Sequence, residues 1–140
     1  MKKTHIKICC ISSIQEANLA INAGASAIGL VGHMPSGPGI ISDELIAEIA
    51  LSVPKHIETF LLTSETRVDE ILEHYSKVKT TTIQIVDALT EGTYFELKKA
   101  LPKVKIVQVL HVLNEKSIDE AIEISNFVDT LLLDSGNPNL

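Results

Sequence analysis

Apolar and polar positions along this chain alternate between two rhythms. Runs that are apolar throughout or alternate with period two predict strands at His5–Cys9, Ser26–Gly32, Ile57–Thr63, Thr81–Val86, Val104–Val112 and Val128–Asp134. Helical spacing fills the intervals. Ser13 with Glu16 three residues on has the form of a capping box, and Ile14, Ala17, Leu19, Ala20 and Ile21 follow, with Gly24 as the stop. Ser42 can cap a second helix whose apolar side carries Leu45, Ile46 and Ile49, closed by Pro54. A third runs from about Glu65 to Val78, a fourth from Thr93 to Leu101 before Pro102, and a fifth from Ser117 to Ser125.

Six strands alternating with five helices predict a parallel sheet with right-handed crossovers. Strand starts lie roughly 22 to 30 residues apart, close to the βα repeat of an eight-fold barrel. The rival is an open doubly wound sheet, whose central strands are apolar on both faces. Here Ile6 and Ile8 point one way and His5, Lys7 and Cys9 the other, while Ile83 and Ile85 oppose Gln84 and Val86. A face carrying Lys7 and Gln84 suits a barrel interior that opens onto a polar site. The expected fold class is therefore α/β, of the (β/α)8 TIM-barrel type, with residues 1–140 forming one partial barrel domain of about six βα units.

Composition narrows the classes. The chain is 45% apolar and 21% charged, the balance of a soluble globular protein. Its formal net charge of −6 argues against nucleic-acid binding, which needs a clustered basic face. No apolar run is long enough for a membrane helix, and "MKKTHIKICC" lacks a signal-type apolar core, so the expected location is the cytoplasm. The two cysteines, Cys9 and Cys10, are adjacent, which disfavours a disulfide scaffold or a metal site built on cysteines alone. Alone, Cys9 reads equally as a small buried residue or a reactive thiol, and Asp134 as a turn residue or an acid.

"KICCISS", "INAGASAIGLV", "SGPGIIS" and "LLLDS", at the expected strand numbers, change that balance. Over about Lys7 to Ser135 the chain resembles the N-terminal three quarters of phosphoribosylanthranilate isomerase, a barrel of tryptophan biosynthesis. The resemblance implies an Amadori rearrangement of an aminoaldose phosphate to an aminoketose phosphate, with no metal and no organic cofactor. It implies Cys9 as general base and Asp134 as general acid. Lys7, Gln84 and His111 are the further candidates for contact with a phosphosugar substrate. Lys7, two residues before Cys9 on the same face, would favour the thiolate. Asp134 would need apolar or anionic surroundings to stay protonated.

Four departures leave a second reading open, that of a divergent or re-purposed barrel binding another phosphosugar or metabolite. Cys10 stands at the family's glycine. Gly39 stands at its arginine, which engages the anthranilate part of the substrate. Val86 and Asp87 replace the histidine and glycine of its "QLHG". The chain stops at "SGNPNL", before the strands whose turns hold the family's phosphate. The expectation is a longer natural chain, with roughly 60 further residues completing the barrel. If 140 residues are the whole, a homodimer or a partner is expected to close the sheet.

Overall fold

The computed structural model describes residues 3–135. The strands are β1 (Lys7–Ile8), β2 (Ala27–Val31), β3 (Glu58–Thr63), β4 (Thr82–Ile85), β5 (Lys105–His111) and β6 (Thr130–Asp134). The helices are α1 (Ile14–Asn22), α2 (Asp43–Ser52), α3 (Val68–Val78), α4 (Tyr94–Ala100) and α5 (Lys116–Ser125). All six strands lie in one sheet, in the order β1-β2-β3-β4-β5-β6, and every pairing is parallel. An open doubly wound sheet reverses its order at a switch point. This one never reverses, so it curls as a partial (β/α) barrel.

Sequence-local chemistry sets the helix starts. Ser42 accepts from the Leu45 N–H, and Thr93 with Glu96 forms a complete capping box at α4. At α1 the expected box is displaced by one residue. Ser13 Oγ does accept from the Glu16 N–H, but the Glu16 carboxylate turns to the N–H and hydroxyl of Ser12, at 2.7 and 2.8 Å. The third helix begins at Val68 rather than Glu65, because residues 63–67 are held outside it. The Glu65 N–H bonds Thr63 Oγ1, and Arg67 bridges to Glu91. The first strand is also shorter than expected, since its ladder to β2 covers Lys7 and Ile8 alone.

The core lies between the sheet and its helices. Ile28, Leu30 and Leu61 pack with Ile46 and Ile49 of α2, and Ile83, Ile85 and Ile106 with Ile71 and Leu97. Full burial of each such side chain is worth about 1.5–3 kcal/mol. Helix-facing residues of the edge strands lack that cover: Ile8 is 42% and Leu133 64% exposed. The other sheet face looks into the barrel and carries the candidate site. The "GNPNL" that follows Ser135 lies outside the described residues.

Candidate functional site at the strand ends

Register puts Lys7, Phe60 and Gln84 on the interior face, through the partners Lys7↔Ala27, Gly29↔Phe60 and Leu62↔Gln84. The Lys7 ammonium donates to Gln84 Oε1 across the barrel, from β1 to β4. It also stands 4.7 Å from the centroid of the Phe60 ring, a cation–π distance. Burial lowers the Lys7 pKa from its ordinary value, while the thiols of Cys9 and Cys10 pull it back up. The interior pairing of Lys7 with Gln84 is the one the strand alternation predicts.

Cys9 follows β1 directly and also turns inward. A Cβ built on Gly29 of β2 would sit 2.8 Å from Cys9 Sγ and 3.1 Å from its Cα. The bare glycine is what lets β1 and its thiol approach β2 so closely. Cys10 then adopts φ +59°, the left-handed region that suits glycine, so the backbone turn persists without the family's glycine. Its side chain lies over Gly39, where a Cβ would meet Cys10 Cβ at 2.7 Å and Sγ at 2.8 Å. The Cys10 sulfur is 3.8 Å from the Pro38 carbonyl. Burial raises the Cys10 pKa, the neighbouring Cys9 adds to the rise, and Lys7 opposes it. Both cysteines are free thiols.

At the other edge of the sheet, His111 ends β5 beside Asp134, which ends β6 and is its register partner. The imidazole Nε2 is 3.1 Å from the Val86 carbonyl oxygen and 3.9 Å from Asp87 Oδ1, and Nδ1 is 3.8 Å from Asp134 Oδ2. The side chains of His111 and Asp134 are 43% and 58% exposed. Asp134 therefore has neither the apolar nor the purely anionic surroundings expected of it as an acid. Sequence reasoning left Asp87 as a cap for α4, but Thr93 fills that role and Asp87 faces His111 instead. Val86, at the family's histidine position, contributes a backbone carbonyl that holds a different histidine.

The candidates thus form two groups, Lys7–Gln84 with the nearby Cys9, and His111–Asp134, at the C-terminal ends of strands where barrels build their sites. Cys9 and Asp134 belong to the rims of the two edge strands, with β2 to β5 between them. Arg67 is committed elsewhere, to Asp69, Glu70 and Glu91. His74 of α3 locks the helix layer, its Nδ1 at 2.9 Å from Thr63 Oγ1 and its Nε2 at 3.0 Å from Asp43 Oδ1. Among the described residues no group of three or more His, Cys, Asp or Glu is arranged to hold a metal ion. No described helix is long and apolar enough to cross a membrane.

No family model matches the chain. It is 29% identical over 131 residues to N-(5'-phosphoribosyl)anthranilate isomerase 2 of Methanosarcina mazei, covering 93% of this chain and 58% of that protein. The isomerase of Nostoc punctiforme is 26% identical over 133 residues, 95% of this chain and 63% of that protein. The chain thus spans about three fifths of the length of the curated relatives it matches. Among solved structures, phosphoribosyl anthranilate isomerase of Thermotoga maritima superposes with a TM-score of 0.76 at 24% identity, over 94% of this chain and 62% of that one. That likeness establishes the shared barrel fold.

Proposed function

The chain belongs to the phosphoribosylanthranilate isomerase family, and from that premise we propose that it contributes to the isomerisation of an N-(5'-phosphoribosyl)-type aminoaldose in tryptophan biosynthesis. What carries the reading is the retention of an interior thiol at the end of β1 and a carboxylate at the end of β6 in a chain so related along nearly its whole length. Protonation of the ribose ring oxygen breaks the C1–O bond, the bonding pair leaving with oxygen while the nitrogen lone pair forms C=N. Cys9, as thiolate, then takes the proton from C2, and the enolamine so formed tautomerises to the ketone. Lys7 and Gln84 hold the interior wall beside Cys9, and the reaction uses neither metal nor organic cofactor. The reading places the chain in the cytoplasm, free of nucleic acid and membrane.

A second reading, a barrel acting on or binding a different phosphosugar, is favoured by one observation. Cys10 occupies the space over Gly39, so no side chain, cationic or otherwise, fits there without displacing the sulfur. Growth of a tryptophan auxotroph lacking the isomerase, carrying the complete natural gene, separates the two. Rescue that disappears with Cys9→Ala supports the isomerase. A folded protein that gives no rescue supports the second reading.

A further inference from the structure

His111 stands in an arrangement that fixes where its hydrogens sit. The Val86 carbonyl can only accept, so the nitrogen 3.1 Å from it, Nε2, carries a hydrogen. In the neutral ring Nδ1 would then direct its lone pair at Asp134 Oδ2, 3.8 Å away. A lone pair facing a carboxylate oxygen is repulsive, and one proton placed between them removes the repulsion whichever atom bears it. Asp87, 3.9 Å from Nε2, favours the charged ring from the opposite side. These two carboxylates and the carbonyl come from the ends of β4 and β6, the two strands that flank β5.

We propose that His111 and Asp134 hold one proton jointly, and that His111, oriented by Asp134, is the group that delivers it to the sugar. The inference rests on the isomerase reading and changes its acid. An exposed carboxyl beside an imidazole is poorly suited to keep a proton near neutrality, because the charged ring stabilises the carboxylate. The imidazole itself is suited to carry one there. In the ring-opening step Nδ1–H gives its proton to the ribose oxygen as the C1–O bond breaks. Nδ1 keeps the N–H bonding pair, the ring returns to neutral, and the pair regains its proton from solvent. A position that bears valine in place of the family's histidine is thereby served by an imidazole from the neighbouring strand.

The test combines a spectroscopic and a kinetic readout on the complete natural chain. Nitrogen-15 shifts of labelled histidine, assigned with His111→Gln, report which ring nitrogens carry hydrogen at pH 7. Nδ1 of His111 is expected to be hydrogen-bearing to a much larger extent in the wild type than in Asp134→Asn. Identical Nδ1 shifts in the two proteins would overturn the shared proton. His111→Gln is expected to lower kcat by about 100- to 10,000-fold with little change in KM. Wild-type kcat in His111→Gln beside an inactive Asp134→Asn would overturn the donor assignment and leave the isomerase reading standing. Absence of turnover in the folded wild type would remove that reading, and the nitrogen-15 comparison would still decide the shared proton.

Discussion

The Cys10 side chain fills the volume that any side chain on Gly39 would need, with 2.7 Å between Cys10 Cβ and the position of a Cβ at residue 39. Two departures from the family pattern, cysteine for glycine and glycine for arginine, are therefore one packed exchange. Restoring either residue alone disturbs the other.

A double-mutant cycle measures that exchange. Gly39→Ala should destabilise the fold by about 1–3 kcal/mol through overpacking against Cys10. The cost should shrink in Cys10→Gly/Gly39→Ala, leaving the strain of alanine at φ +83° and the approach to the residue 10 backbone. Urea unfolding midpoints of the four proteins give the coupling. Additive effects would show that the two positions are independent.

Gly29→Ala is expected to displace the Cys9 thiol, since the new Cβ would lie 2.8 Å from Cys9 Sγ and 3.1 Å from its Cα. Residue 29 has no left-handed backbone demand, so the whole effect comes from that crowding. Isomerase activity should fall further than stability does. Alkylation of Cys9 by iodoacetamide, followed by peptide mass spectrometry, should change in rate along with it.

Lys7 and Gln84 should be unequal partners. Gln84→Leu leaves the part-buried ammonium without its acceptor, and about 1.5–3 kcal/mol of stability should be lost. Lys7→Met keeps the stem packed on Phe60 and removes the charge that burial disfavours. It should cost less than Gln84→Leu, and the same urea titrations rank the two.

Asp129 predicts an acid-sensitive hold on β6. Burial pushes its carboxyl up, but the Ile106 N–H at 2.8 Å and the Lys98 ammonium at 2.9 Å outweigh this and leave the pKa below the ordinary aspartate value. The unfolded chain therefore takes up the proton first as pH falls. The contribution is present above about pH 4 and is lost as pH drops through the lower folded value. Melting temperatures of wild type and Asp129→Asn should differ at pH 7 and converge toward pH 2.

Much of this was legible in residue spacing. Period-two alternation on the first and fourth strands marked Lys7 and Gln84 as sharing the interior, because side chains on successive strand residues point to opposite faces. Ser42 and Thr93 announced their helices by cap chemistry that acts over three residues. What stayed hidden depends on contacts between distant segments. Nothing local to Cys10 or Gly39 reveals that they touch. Nothing in "QIVD" indicates that its valine carbonyl and its aspartate hold His111. Likewise α3 starts late because Arg67 reaches Glu91, on the far side of β4. Helical periodicity carries no trace of such a bond.

Each strand pairs only with its neighbours in sequence, so a nascent chain leaving the ribosome can add every new strand to one already in place. Lys7 is the exception, because its acceptor lies 77 residues downstream. At about 5–20 residues per second, its ammonium stays hydrated for about 4–15 s before Gln84 emerges. The charge is withdrawn from water only when four strands are present to receive it, so dehydrating that lysine marks the moment at which the curl of the sheet becomes self-supporting.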